Sequence, residues 1–309
     1  MLALDGGGAK ALFTAHVLAR LEADLGIVVR DSFDLIAGTS AGGIIALALG
    51  AGIRPALIVE RYEDLVRTVF PRSRQSWWNL PRRLARPAYD GDALRLALTE
   101  VFGDRVLGDS TKRLVIPAWD AQQGSIHLFK TYHHPDLRRD WRIPMVDVAM
   151  ATSAAPSFFP AAMVDGQKFI DGGIWANNPS VVAIAEAIRM LDVSLPAIRV
   201  LNVGTTDHSL AIDKRLQNGG AITWAPSVVP LVLGAGSRGG QGLAHHLVGK
   251  DHYSRFDAMV PTGLYSIDRV DAKDIAGHAA AASRALSPVY SQRFSDHIAS
   301  AFVAESEIN

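Results

Sequence analysis

With 309 residues, 49% of them apolar and 20% charged, the chain is long enough to bury a large core and has the make-up of a soluble globular protein. Thirty-one basic residues balance thirty-one acidic ones, so no global field draws it to nucleic acid or an anionic membrane; any such contact needs a local patch. The absence of cysteine excludes a disulfide framework, a thiolate nucleophile and a cysteine-ligated zinc site, and fits a reducing compartment.

Residues 2–4 predict a short apolar strand. It runs into Asp5-Gly6-Gly7-Gly8-Ala9-Lys10, where glycines between a strand and a helix let amide groups converge on an anion, with the helix dipole behind them. A dinucleotide fingerprint would need glycine at the sixth place of Gly-x-Gly-x-x-Gly, which Ala11 occupies, and no Gly-Lys-Ser/Thr phosphate loop occurs. Leu12, Phe13, Val17, Leu18, Leu21 and Leu25 then form one helical stripe, closed by Gly26.

Residues 33–37 read as a buried strand, followed by Gly38-Thr39-Ser40-Ala41-Gly42-Gly43 and a small-residue helix over 42–49. A serine between glycines at a strand-to-helix turn has the form of a nucleophile elbow, which exposes the hydroxyl beside a helix N-terminus. The competing reading is a tight turn in which Ser40 caps the helix.

Pro55 opens a helix through about residue 70. The next stretch holds Arg72, Arg74, Trp77, Trp78, Arg82, Arg83 and Arg86 with no acidic residue. Guanidinium groups take phosphates bidentately, and indoles stack on bases or lodge at a membrane interface, so this is a candidate ligand patch. The alternative is an ordered loop with solvated arginines.

A helix over 90–102, strands over 113–119 and 125–130, and a helix over 144–151 follow. A strand over 168–170 leads into Asp171-Gly172-Gly173, then come a helix over 179–191 and a strand over 198–203. Strands separated by helix-length connections imply a mostly parallel, helix-covered sheet. The uncharged stretch 216–237 suits a lid, a membrane-touching surface or a buried connector; Pro226 and Pro230 argue against a spanning helix. An alternating run over 263–270 and a helical tail from about 271 close the chain. The expected division is 1–205 as the core and 206–309 as an extension of the same domain. With no signal peptide and no convincing span, a cytosolic protein is expected.

A serine needs a base at neutral pH. Neighbours such as His133-His134 and His245-His246 point to opposite faces on a strand, which disfavours them. His208, late in the chain after the 198–203 strand, would complete a Ser40–Asp171–His208 triad. Alternatively Asp171 acts directly: an exposed aspartate, with a pKa of about 3.9, is a weak base, and desolvation would strengthen it. A third reading has Asp171 only ordering a glycine turn. The residues alone leave these open.

Four blocks together resemble the patatin-like phospholipases. They are Leu12-Phe13-Thr14-Ala15, the 33–43 stretch Phe-Asp-Leu-Ile-Ala-Gly-Thr-Ser-Ala-Gly-Gly, the 151–160 stretch Ala-Thr-Ser-Ala-Ala-Pro-Ser-Phe-Phe-Pro, and Asp171-Gly172-Gly173-Ile174-Trp175-Ala176-Asn177-Asn178-Pro179. The likeness covers about residues 1–205. It implies a three-layer α/β/α fold, a Ser40–Asp171 dyad, an oxyanion loop at Gly6, Gly7 and Gly8, hydrolysis of membrane phospholipid esters, and no metal or redox cofactor. Ala11 departs from the family's usual glycine by one methyl group, and Lys10 fills its basic position.

The stretch Phe129-Lys130-Thr131-Tyr132-His133-His134-Pro135-Asp136 looks closest to bacterial anti-phage members, lipases switched on by cyclic dinucleotides. That resemblance implies a cyclic dinucleotide activator, with the 72–86 arginines and tryptophans as its candidate site, and action at the inner face of the membrane. A histidine-triad esterase and a catalytically silent ligand sensor are the alternatives.

Overall fold

The computed structural model describes residues 1–71, 86–206, 214–261, 263–300 and 302. Its strands are β1 (Leu2–Leu4), β2 (Leu35–Gly38), β3 (Arg113–Asp120), β4 (Ser125–Lys130), β5 (Ala162–Val164), β6 (Gln167–Asp171), β7 (Val200–Val203) and β8 (Tyr253–Phe256). They form one sheet in the order β5-β6-β3-β2-β1-β7-β8, with β4 pairing β3 off that path. The β1–β2, β1–β7, β2–β3 and β7–β8 pairs are parallel. The β3–β4, β3–β6 and β5–β6 pairs are antiparallel.

Among the described residues the helices of eight or more residues are α1 (Leu12–Leu25), α2 (Ala41–Gly50), α3 (Pro55–Val69), α4 (Gly91–Phe102), α5 (Met145–Thr152), α6 (Ser180–Met190), α7 (Ala221–Val248) and α8 (Ala272–Arg293). They cover both faces of the sheet, because strand side chains alternate. Leu2, Leu4, Ile36, Leu114, Ile116, Leu201 and Val203 turn into the larger core with α1 to α5 and α8. Ala3, Val200 and Tyr253 face the other way, onto Ile184 and Ala187 of α6 and Ala244 of α7. Leu35, Ala37 and Val115 meet Ala183 of α6 on that same side. Three layers follow, α/β/α, with strands buried on both faces.

Local signals set the helix ends. Gly26, at φ 65°, ends α1 by donating its N–H to the Glu22 carbonyl at 3.0 Å. Asp271 starts α8, its carboxylate accepting from the amides of Lys273 and Asp274 at 2.9 and 3.1 Å. Most of the uncharged 216–237 stretch lies in α7, a helix of 28 residues that runs through both prolines. No helix among the described residues is long and apolar enough to cross a membrane.

One strand brings the site together. The first half of β3 pairs with β2, ending with Ala37 opposite Val115. Its second half pairs along the same edge with antiparallel β6, placing Ala118 opposite Asp171, while β4 fills the other edge. β6 therefore runs head-on toward the carboxyl end of β2. Its last residue, Asp171, meets the turn that follows Gly38.

Candidate active site

Ser40 stands between β2 and α2 with φ 55° and ψ −125°, a strained conformation for a residue with a side chain. Its hydroxyl makes no capping bond to α2. Instead Oγ donates to Asp171 Oδ2 at 2.7 Å. The Ser40 amide donates to Thr152 Oγ1 at 2.9 Å, and that hydroxyl passes its own hydrogen to the Pro117 carbonyl at 2.6 Å. Thr39 Oγ1 donates to the Ala176 carbonyl at 2.6 Å. Bonds to α5, to β3 and to the turn after Asp171 thus hold the elbow in its strained shape.

Asp171 is 3% exposed. Its Oδ1 accepts from the Gly173 amide at 2.7 Å. Burial pushes the carboxyl up from its ordinary 3.8 to about 6, against the opposing pull of the bonds from Ser40 and Gly173. A carboxylate in this range is a far stronger proton acceptor than one on the surface, and it is still ionised at neutral pH. Gly172 is required by close approach, since a side chain there would run into the Pro117 carbonyl.

The glycine loop lies opposite. Gly6 donates its amide to the Asn177 carbonyl at 3.0 Å, which commits that N–H. The amides of Gly7 and Gly8 have no hydrogen-bond partner among the described residues. Both residues line a slot shared with Ser40, Ala41 and Asp171. Ala41, on the residue after the serine, offers a further amide at the start of α2. Gly8 has φ +57°, and its carbonyl accepts from the Tyr62 hydroxyl at 2.9 Å, which fixes the loop from α3. The slot is apolar, walled by Ile44, Leu65, Phe70, Leu94, Phe159 and Leu233, and it holds only about 30 Å³.

The other sequence candidates fall elsewhere. His133 is buried and bonded to Thr131 Oγ1 at 2.8 Å and to Glu186 at 3.0 Å, a structural pairing. His245 packs edge-on to the Tyr253 ring. Among the described residues no histidine bonds to Ser40 or Asp171. His208 lies outside the described residues, as do Arg72, Arg74, Trp77, Trp78, Arg82 and Arg83; Arg86 is described and exposed. No group of three metal-ligating side chains is found among the described residues.

Asp5, the first residue of the glycine motif, is buried and does not face the serine. Its carboxylate accepts from Asn202 Nδ2 at 2.7 Å and Arg255 Nη1 at 2.8 Å, and from the Ser237 hydroxyl. Arg255 also reaches Asp257 at 2.6 Å. The roles of Thr152, Asn202 and Arg255 go beyond the sequence reading. Thr152 stands in the conspicuous 151–160 block, which was the only signal for it.

A hydroxyl held by a desolvated carboxylate at a strand-to-helix elbow, facing free loop amides across an apolar slot, has the build of a serine acyl hydrolase. The pattern of the patatin family, described as patatin-like phospholipase, matches residues 2–184. A relative from Pseudomonas aeruginosa (strain BWHPSA011 / Pa011), named cGAMP-activated phospholipase, is 34% identical over 320 aligned residues, covering 97% of this chain and 93% of its own. One of the same name from Escherichia coli (strain TW11681) is 39% identical over 227 residues, 68% of this chain and 64% of its own, so less than two thirds of that relative is spanned. Among solved structures, VipD from Legionella pneumophila overlays with a TM-score of 0.48 at 14% identity, covering 93% of this chain and 66% of VipD. The chain belongs to the patatin-like phospholipases, and it is a lipid acyl hydrolase.

Proposed function

We propose that the protein cleaves fatty acyl esters of membrane phospholipids through Ser40 and Asp171, without a histidine, and that a cyclic dinucleotide activates it. The observation that carries the reading is the 2.7 Å bond from Ser40 Oγ to a carboxylate raised to about 6. Oγ attacks the ester carbonyl as its proton passes to Asp171 Oδ2. The carbonyl oxygen becomes an oxyanion, received by the amides of Gly7 and Gly8 with that of Ala41. Collapse expels the lysophospholipid alkoxide, which takes the proton back from Asp171 and leaves an acyl-serine. Water then attacks the acyl-serine with Asp171 again as base, releasing the fatty acid and restoring the serine hydroxyl.

Because the base must be ionised, kcat/KM should rise with pH and reach half its plateau at about 6, read from a pH–rate profile on a soluble ester. Gly8→Ala places a side chain at φ +57° against Ile267 and moves the loop amides. Turnover should fall by roughly 10²–10³, with far-ultraviolet circular dichroism unchanged; normal turnover would place the oxyanion donors elsewhere.

The activator reading is supported by the names of the two relatives and by the narrowness of the slot. A lipase acting on its own cell's membrane from the cytoplasmic side needs a resting state, and a 30 Å³ slot does not admit an acyl chain. Helix α7 supplies Leu233, which narrows the slot next to Gly173. Val228 and Val232, one turn apart and exposed on that helix, form an apolar ridge suited to a peripheral lipid contact. The test is phospholipid hydrolysis with and without cyclic GMP-AMP, alongside Arg82→Glu and Arg83→Glu. Stimulation lost in those variants, with hydrolysis of a short ester retained, is the expected result. A protein fully active without nucleotide, or stimulated equally in the variants, overturns the activator assignment.

A further inference from the structure

The direction of each loop amide depends on what holds the carbonyl before it. A peptide unit is planar and trans, so the carbonyl of one residue and the amide of the next point opposite ways. Whatever holds the Gly6 carbonyl therefore aims the Gly7 amide, and whatever holds the Gly7 carbonyl aims the Gly8 amide. For Gly8 the partner is local: the Lys10 amide donates to the Gly7 carbonyl at 3.2 Å, within the turn that leads into α1. For Gly7 it comes from the far end of β7. Thr205 Oγ1 donates to the Gly6 carbonyl at 3.2 Å, and among the described residues that carbonyl has no other hydrogen-bond donor.

Thr205 is buried and presses on the loop, since a side chain at Gly7 would collide with its Cβ, Oγ1 and Cγ2. It lines the space of about 500 Å³ beyond the loop but not the slot that holds Ser40. Its hydroxyl thus draws the Gly6 carbonyl to one side and leaves the Gly7 amide facing the other, where the slot lies. Gly6 abuts the nucleophile, because a side chain there would meet Ser40 Cβ.

Neighbouring bonds fix Thr205 in turn. The Gly204 amide donates to the Phe256 carbonyl at 2.8 Å, and the Gly204 carbonyl accepts from Thr14 Oγ1 at 2.9 Å. On the other side the Thr206 amide donates to Asp257 Oδ1 at 2.9 Å. Thr206 keeps φ 71°, a left-handed value that a β-branched residue rarely adopts and that persists only where its surroundings over-determine it. Lys10 Nζ donates to the Thr206 carbonyl at 3.4 Å, so one segment grips the glycine loop at both ends. Thr205 lies beyond the 2–184 stretch that matches the family pattern.

We propose that Thr205 is a positioning residue for acyl transfer, its hydroxyl turning the Gly7 amide toward the oxyanion that forms at Ser40. The assignment rests on the reading of Gly7 as an oxyanion donor. Aim matters because a donor stabilises the transition state fully only when it already points to where the charge develops.

The test compares variants of the full chain on p-nitrophenyl butyrate and on its thiono analogue, in which sulfur replaces the carbonyl oxygen. Thr205→Val keeps the shape and removes the hydroxyl; Thr205→Ser keeps the hydroxyl and removes a methyl group. With valine, kcat should fall roughly ten- to a hundredfold, short of the roughly 10²–10³ that follows outright loss of a donor. KM should hold within about twofold, because the bond to the oxyanion forms only in the transition state. Serine should recover most of the loss. The half-plateau pH of about 6 should not move, since the bonds to Asp171 are untouched. Sulfur accepts hydrogen bonds weakly, so the thiono ester gains little from the amide in any variant. The parent's preference for the oxygen ester should therefore shrink in Thr205→Val, whereas a general loosening of the fold slows both esters alike. Thermal melts check that the variants fold, and Thr205→Ala carries the same readings should valine not. A parental kcat without the hydroxyl, an unchanged preference between the two esters, or a loss that serine does not recover overturns the assignment. If that happens while Gly8→Ala is crippled, the glycine loop keeps its role and Thr205 alone loses its own. Parental turnover in both Gly8→Ala and Thr205→Val removes the oxyanion reading itself.

Discussion

Replacing Ser40 by alanine is expected to lower phospholipid hydrolysis by roughly four orders of magnitude or more, the range seen when an acyl hydrolase loses its nucleophile. The change removes one oxygen at an already strained turn. The bonds that shape that turn, from the Ser40 amide to Thr152 and from Thr39 to Ala176, do not involve the serine hydroxyl. The variant should therefore fold and keep its thermal midpoint close to that of the parent. A fluorophosphonate should label the parent at Ser40 alone, mapped by peptide mass spectrometry. Label on another residue, or near-normal turnover by the alanine variant, would remove Ser40 from the chemistry.

Asp171→Asn should cost two to four orders of magnitude, roughly the contribution of a general base. An asparagine keeps the shape: Oδ1 still accepts from Gly173, and Nδ2 faces the serine oxygen that the carboxylate faced. It cannot take the proton. Stability should move the other way. The folded-state pKa is raised, so the stability associated with protonated Asp171 is present below 3.8 and lost as the pH rises to about 6. An amide has no charge to desolvate, and the variant should be at least as stable as the parent at neutral pH, checked by calorimetric melts. His208→Ala supplies the control. If it were as damaging as Asp171→Asn in a folded protein, a triad would replace the dyad.

Much of the front half of this fold is legible because its signals are local. The Leu12 to Leu25 stripe, Pro55 at the head of α3, Asp90 before α4 and the glycine-flanked serine each declare their element within a few residues. The missed elements depend on distant partners. β5 has three residues, and β8 reads Tyr-Ser-Arg-Phe, with its arginine turned to Asp5 rather than to solvent. β5 is apolar but too short to register as a strand, and β8 makes no apolar run. α7 contains two prolines and several glycines, and its intrinsic propensity is poor. Packing against the 173–178 segment, with Leu233 on Gly173 and Gly240 close to Asn178, carries it instead. At the site, the motifs placed Ser40 and Asp171 as candidates, but nothing in the text of Gly6-Gly7-Gly8 tells which amide is already committed. That depends on where the Asn177 carbonyl falls.

The mooring of Asp5 bears on how this protein tolerates being cut. The serine, the carboxylate and the glycine loop all lie before residue 172, which invites trimming the chain to the stretch that carries them. Yet the residue heading the loop is a buried carboxylate, and the guanidinium facing it sits 250 positions later, on the last strand of the sheet. A shortened polypeptide would retain the serine, the carboxylate and the glycine loop and lose the counter-charge. A buried anion left alone costs several kcal/mol, enough to drag the loop toward water and scatter the amides that follow it. Losing Arg255 without also neutralising Asp5 should be far more harmful than losing both, so the two positions are expected to change together or not at all in descendants of this chain.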